Sequence, residues 1–535
     1  MLDGRKDEQG EADMLNRRIL AAGAALGALA FAAPAQAACE DLMTLDVGAG
    51  RVTSATLVPA GGFSEPRGPG APPGVGAGAY GDVPAFCRVE ITLTPTPDSD
   101  IKSEIWLPAS GWNGKYVGIG NGIWAGQISR SQMADPVRRG YAAASTDTGH
   151  AGSGMDATWA IGHPEKLIDF GHRAVHLTTV AAKAAVQAFY GRAPALSFWN
   201  SCSTGGRQGL MAAYRYPNDF DAISAMAPAN PMTDLMTQTM WQGSQPQRSG
   251  VQLSPQVLGL VHAAVVRQCD AGDGVTDGLI SNPQACRFDV ATLQCRPGQT
   301  EGCLSGGQVS AMQNIYGGTR SDDGTSLLPG WPYGSEMGLI PLVMGAEPFP
   351  VAMSYFRDLV YAGREGWDWK AQDYRTYVDD GRAFGADILN VPSDGLDPFF
   401  ARGGKLLLSH GWADGLIPAT NTIAFHHGLW NDLPRTQADS QLRLFMAPGM
   451  DHCGGGEGPS VIDTLGVIDA WATTGEAPMR VLASRPTAVQ SFPGQPPAPP
   501  RAAMERPLCA WPMQAVYDGT GDTNVAGSFS CRVVS

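Results

Sequence analysis

Ser203, Asp414 and His452 are residues of the types that carry out acyl transfer, and each stands at the end of an apolar run. Acyl transfer by serine needs a hydroxyl nucleophile, a base to take its proton and a group that orients the base. Ser203 lies in "NSCSTGGRQG", just after "ALSFW". Asp414 follows "KLLLSHGWA", and His452 follows "LRLFMAPGMD". The chain order Ser, Asp, His is that of an α/β-hydrolase, in which each residue sits on a loop after a strand. The nucleophile elbow of that fold reads G-x-S-x-G; here it reads Ser201-Cys202-Ser203-Thr204-Gly205, with a serine at the first small position. Taken singly, an S-x-G turn is usually only a turn, a histidine is more often structural, and Asp414 suits a strand end. The conjunction is what points to chemistry.

An oxyanion needs backbone N–H groups aimed at the developing charge. Thr204 N–H, next to the nucleophile, is the expected first donor. The second is expected from the turn in "GIGNGIWAG", with Gly122 chosen and Gly120 and Ile123 beside it; the bland reading is that these glycines only make the turn tight.

The ten cysteines and an export-type N-terminus indicate disulfides rather than metal thiolates, and no CxxC pair is present. Spacing suggests Cys269–Cys286, Cys295–Cys303 and Cys509–Cys531, with Cys39–Cys87 closing an N-terminal loop. Cys202 and Cys453 remain, each next to a candidate catalytic residue. If they pair, their Cα atoms lie about 5.5 Å apart and Ser203 and His452 are forced into one small region.

The elements needed to hold these residues are legible around them. "GKYVGIGNG" reads as a strand entering a Gly-rich loop, "HRAVHLTTVAAKAAVQAFYG" as a helix with a Gly stop, and "RQGLMAAYRYP" as the helix after the candidate nucleophile. This alternation predicts an α/β domain with a mostly parallel sheet over residues 38–229 and 396–535. Residues 230–395 break the rhythm with Asp/Gly loops, aromatic stretches and four of the cysteines, as an insertion would. "PGQPPAPPRAA", residues 493–503, reads as a surface connector. "NRRILAAGAALGALAFAAPAQA" has a basic start, an apolar run and the small-residue site Ala35-Gln36-Ala37, so residues 1–37 read as a secretory signal with Met14 as a candidate true start. The mature protein is then secreted or periplasmic. A net charge of −14 argues against nucleic acid as a partner, and nothing signals a membrane surface.

"CSTGGRQG", "HGWAD" and "DHCGGG" together resemble the tannase/feruloyl esterase family, secreted serine esterases whose signature is a Cys-Ser pair, an Asp and a His-Cys pair joined by a disulfide. The resemblance covers nearly the whole mature chain. It implies Ser203 as nucleophile, His452 as base, Asp414 as its orienter and a Cys202–Cys453 bridge in an α/β-hydrolase core with a large inserted lid. By its residues alone, "CDAGDGVTDGLISNPQAC" could be a calcium loop or a plain Asp/Gly turn. The resemblance implies a structural Ca²⁺ in the lid, held by the side chains of Asp270, Asp273 and Asp277 and the carbonyls of Val275 and Leu279. The implied substrate is a small or plant-polymer-linked ester of a hydroxylated aromatic acid, feruloyl or galloyl in type. A terephthalate monoester hydrolase is the alternative within the family, and a non-catalytic hydrolase-like binding module is the alternative outside it.

Overall fold

The computed structural model describes residues 37–65, 80–152, 154–487 and 502–534. The export segment and most of the Pro-rich connector lie outside the described residues. Nine strands form one sheet. They are β1 (Gly50–Val58), β2 (Phe86–Leu93), β3 (Ile101–Pro108), β4 (Lys115–Ile119), β5 (Ala142–Thr146), β6 (Leu196–Cys202), β7 (Ala222–Met226), β8 (Lys405–Gly411) and β9 (Leu442–Ala447). Their spatial order is β1-β2-β3-β5-β4-β6-β7-β8-β9. Pairings from β5 through β9 are parallel. Those joining β1, β2, β3 and β5 are antiparallel; between β2 and β3 the connection is too short for a helical crossover.

Successive strand residues point to opposite faces, and here both faces are covered. Ala142, Ala144, Trp199, Leu406, Leu408 and Leu444 join one core; Ala143, Phe198, Leu407 and Phe445 join the other. This explains why β5, β8 and β9 are nearly continuous apolar runs rather than alternating ones. Helices α1 (Ala174–Tyr190) and α2 (Thr204–Arg215) cover the first face. Gly191, left-handed at φ 73°, ends α1 where the sequence places its stop.

The segment between β7 and β8 adds no strand to this sheet. It carries α3 (Met232–Arg248), α4 (Pro255–Cys269) and α5 (Tyr374–Leu389), and it lies over the carboxyl ends of the strands. One of its cores is internal, around Leu258, Met312 and Leu342. The other is shared with the sheet domain, where Met232, Tyr355 and Tyr377 pack with Trp124, Phe170 and Ile417. After β9, α6 (Thr464–Thr474) buries Leu465, Ile468 and Trp471 on the second face of the sheet. The molecule is thus an α/β-hydrolase core with a large inserted lid. Among the described residues no helix is long and apolar enough to cross a membrane.

Candidate active site

Ser203 stands between β6 and α2 with φ 64° and ψ −127°. That backbone is rare for a non-glycine residue and is the sharp strand-to-helix turn the sequence predicts. It is held from below: Ser203 N–H donates to the Met226 carbonyl at 2.9 Å, and Ala229 N–H donates to the Ser203 carbonyl at 3.1 Å. Ile123, Ala227 and Cys453 also have positive φ, so backbone strain gathers on the loops around this residue.

The turn at 120–123 is fixed against α2 by a set of polar contacts that the motif search did not anticipate. Gln208 accepts from Asn121 N–H at 3.0 Å and donates from its amide to Asn121 Oδ1 at 3.1 Å. Asn121 in turn donates to the carbonyls of Gln127 and Thr146, at 2.7 and 2.8 Å. One helical turn before Gln208, the Thr204 hydroxyl donates to the Ile123 carbonyl at 2.9 Å. Ser201, the departure from the elbow signature, accepts from Gly120 N–H at 3.2 Å. The serine in the first small position is therefore part of the clamp.

Glycine is required where this clamp is tightest. A Cβ on Gly205 would stand 2.1 Å from Ser201 Oγ, and one on Gly120 would stand 2.6 Å from both Gln208 Oε1 and the Gly205 Cα. Gly122 differs: a Cβ there would meet nothing within 4 Å, and its φ is not positive. Neither packing nor the turn demands glycine at 122, and the residue lines an open cavity. Among the described residues the N–H groups of Gly122, Ile123 and Thr204 have no acceptor, as expected for Thr204 at the first position of a helix.

Asp414 lies after β8 and is fully buried. Its Oδ1 accepts the backbone N–H groups of Leu416 and Ile417, both at 2.9 Å. Its Oδ2 takes His452 Nδ1 at 2.8 Å and His410 Nε2 at 3.1 Å. Burial alone would raise the carboxyl pKa; the two histidines outweigh it and hold the group well below the usual carboxylate range. A carboxylate only accepts, so His452 Nδ1 carries the proton and Nε2 keeps its lone pair. Burial pulls the His452 pKa down, but the Asp414 charge and hydrogen bond raise it above its ordinary value. His410, in "SHGWAD", was not singled out from sequence. Its Nε2 also faces the Ile417 carbonyl at 3.1 Å, and its Nδ1 meets the Thr422 hydroxyl at 2.8 Å, so it braces the Asp414 loop from within.

Cys202 and Cys453 are bridged, with Cα atoms 5.8 Å apart. The other four bridges are Cys39–Cys87, Cys269–Cys286, Cys295–Cys303 and Cys509–Cys531. Ser203, His452 and their bridged neighbours line one cavity of about 470 Å³, with Gly122 and Thr204 on the same wall. The insertion and nearby loops supply an apolar lining that includes Met232, Leu235, Met236, Leu342, Phe349 and Ile417, and among the described residues no lysine or arginine lines it.

Two ties anchor the insertion to the catalytic loops. Arg207 of α2 is wholly buried, and its guanidinium reaches the carbonyls of Gly171 (3.0 Å) and Leu389 (3.4 Å), the latter closing α5. Burial lowers its pKa to about 9. His262 of α4 bridges Glu336 (2.8 Å) and Glu457 (3.1 Å), and Glu457 follows the His452–Cys453 turn. Burial opposes its charge, but the two carboxylates raise its pKa to about 10.

In the acidic loop, Asp270 accepts from Asp277 N–H and Gly278 N–H at 3.1 and 2.9 Å. Asp273 accepts from Val275 N–H and the Ser281 hydroxyl at 3.0 and 2.6 Å. Asp277 accepts from Leu279 N–H at 3.1 Å and pairs with Arg506. Among the described residues no group of three or more His, Cys, Asp or Glu side chains is arranged as a metal cage. The donor types still suit a hard cation, because three largely buried carboxylates share one loop and, among the described residues, only Asp277 is ion-paired, with Arg506.

Comparison with known proteins bears on what this arrangement does. A family model described as "Tannase and feruloyl esterase" matches residues 87–345 and 368–532. An uncharacterized esterase of Xanthomonas campestris pv. campestris is 33% identical, over 96% of this chain and 94% of its own. A probable feruloyl esterase B-2 of Aspergillus terreus is 30% identical, over 84% of this chain and 86% of its own. The crystal structure of feruloyl esterase B from Aspergillus oryzae superposes with a TM-score of 0.80 at 27% identity, covering 92% of this chain and 99% of that one.

Gln208→Leu removes both clamp bonds to Asn121 while keeping side-chain bulk. Turnover of an ester should fall about ten- to hundred-fold, since a misplaced oxyanion donor costs that order, with KM changing by a few-fold at most. Steady-state kinetics on the folded variant check this, and wild-type kcat would contradict it. Replacing Cys202 and Cys453 together by serine should lower turnover by about a hundred-fold, beyond what lost folded fraction explains, if the bridge sets the separation of the two loops. Near-normal turnover at low temperature would show that the bridge only stabilises.

Proposed function

The chain belongs to the tannase and feruloyl esterase family, and from that premise we propose that it is an exported serine carboxylesterase for esters of hydroxylated aromatic acids, of feruloyl or galloyl type. One observation carries the reading: Ser203, His452 and the N–H groups of Gly122 and Thr204, which have no acceptor among the described residues, open onto a single cavity whose remaining lining is mostly apolar. A flat aromatic acyl group suits such a lining.

In this reading Ser203 Oγ attacks the ester carbonyl while His452 Nε2 takes its proton. Asp414 holds the ring in the tautomer whose Nε2 is unprotonated and stabilises the imidazolium that forms. The N–H groups of Thr204 and Gly122 receive the oxyanion. As the tetrahedral intermediate collapses, His452 returns the proton to the departing alkoxide and the acyl group stays on Ser203. Water, deprotonated by the same ring, then releases the acid and restores the serine. The terephthalate alternative finds no support in the cavity, where among the described residues a free carboxylate would meet no lysine or arginine. A binding module would have no need of a base oriented by a saturated carboxylate.

Export, read from residues 14–37, and a structural Ca²⁺ in the insertion belong to the same proposal. Asp270, Asp273 and Asp277 with the carbonyls of Val275 and Leu279 would hold the ion. It would offset carboxylate charge that Arg506 alone leaves unbalanced, with no part in ester chemistry.

Ser203→Ala should abolish hydrolysis of methyl ferulate and methyl gallate and leave the melting temperature within a few degrees, because Ser203 is partly exposed and its hydroxyl is needed for chemistry. Activity within a few-fold of wild type would sink the assignment. Exhaustive chelation should lower the melting temperature by mass action while turnover of the still-folded enzyme persists. An unchanged melt, with no calcium found by metal analysis, would reduce the loop to a turn.

A further inference from the structure

One face of α3 runs along the cavity. Met232, Leu235, Met236 and Thr239 all line it, at the i, i+3, i+4, i+7 spacing of a single helical face. The start of this helix is beside the nucleophile, since Ala229 donates to the Ser203 carbonyl. Thr239 is seven residues further on, about 10 Å along the axis from Met232 at 1.5 Å per residue.

Thr239 is only 4% exposed, and its hydroxyl has no partner among the described residues. A helical threonine ordinarily back-bonds to the carbonyl four residues earlier; Thr237 does so to Thr233, and Thr239 does not. The other polar groups on the cavity wall are committed or outside. Asn121 is spent on Gln208, Gln127 and Thr146, Asp451 accepts from His452 N–H, and Gln132 is exposed. One turn beyond Thr239 on the same face, Gln242 is fully buried, and neither atom of its carboxamide has a partner among the described residues. Thr239 and Gln242 make the far part of this face polar and without partners among the described residues, beyond the apolar stretch of Met232, Leu235 and Met236. The Thr239 hydroxyl is not sealed from the cavity, so with no protein partner it can meet a polar group brought by the substrate.

Ordinary bond lengths place the 4-hydroxyl of a hydroxycinnamoyl group about 8 Å from its carbonyl carbon and that of a hydroxybenzoyl group about 6 Å. Of the two, the longer reach comes nearer to the run of about 10 Å that α3 makes from Met232 to Thr239. We propose that Thr239 is a specificity-determining residue, its hydroxyl accepting a hydrogen bond from the 4-hydroxyl of a hydroxycinnamoyl ester, while a hydroxybenzoyl ester such as a gallate falls short of it. This rests on the serine esterase reading above and narrows its acyl group.

The test is kcat/KM for methyl 4-hydroxycinnamate, methyl cinnamate and methyl gallate, on wild type, Thr239→Val and Thr239→Ser. Wild type should prefer the 4-hydroxy ester to methyl cinnamate by about ten-fold or more, because a site built to bind a hydroxyl discriminates against its absence. Thr239→Val should bring that ratio close to one and Thr239→Ser should retain most of it; Thr239→Ala replaces the valine variant where that does not fold. A wild type indifferent to the 4-hydroxyl, a hydroxyl-free variant with the wild-type ratio, or a wild type that prefers methyl gallate overturns the proposal. If wild type cleaves none of the three esters, the esterase reading itself fails and takes this inference with it.

Discussion

The close approach of α2 to the turn at 120–123 is the constraint on which the site depends. Gly205 and Gly120 let helix and turn meet with no side chain between them. At that distance Thr204 and Gln208, one helical turn apart, can both reach the turn, and Ser201 can reach it from the strand below. The helix that begins at Ser203 therefore also places the Gly122 N–H, the second oxyanion donor of the proposed mechanism. A methyl group on either glycine would separate these parts, which makes the packing and the chemistry one requirement. The positive φ values of Ile123 and Ser203 persist because these bonds over-determine them.

Asp414 shows the same economy in electrostatics. A buried carboxylate is tolerated only when its lone pairs are met, and Asp414 has four N–H groups on its two oxygens. Two come from its own loop, one from His410 and one from His452. Three of the four are thus internal to β8 and the loop after it, so the carboxylate is already oriented before His452 meets it. The Cys202–Cys453 bridge completes the arrangement by coupling the histidine loop to the elbow. The charge, the ring and the nucleophile are set by separate covalent or hydrogen-bonded anchors that converge on one cavity.

Much of this was legible in the sequence because it is local. The apolar runs before Ser203, Asp414 and His452 are β6, β8 and β9, and the insertion falls where the strand rhythm breaks. The cysteine spacings correspond to the bridges present, since short loops leave few partners. What was missed depends on contacts across the fold. Gln208 lies inside the quoted "CSTGGRQG" motif, yet its partner Asn121 is 87 residues away. His410 stands in "SHGWAD", but a buried brace and an ordinary strand-end histidine look alike in sequence. The antiparallel pairing of β2 with β3 follows from a short connection whose consequence is clear only once the strands are paired. Thr239 resembles any helical threonine until the cavity shows which face of α3 it occupies.

The insertion does more than cover the site. Its α5 ends on a carbonyl that receives Arg207, three residues into the helix of the nucleophile, and its α4 reaches the histidine loop through His262 and Glu457. One tie joins the chain just after Ser203 and the other just after His452. The His262 tie is charged, and its folded pKa of about 10 lies above the ordinary histidine value of about 6.5. Its contribution is therefore full below about 6.5 and fades as pH rises toward about 10. Across neutral pH both ties hold, so the α3 face that lines the cavity is referenced to the nucleophile and not to a free-swinging cover. A wall fixed in this way can measure the length of an acyl group, because distance from Ser203 along α3 is then set by the fold rather than by the substrate.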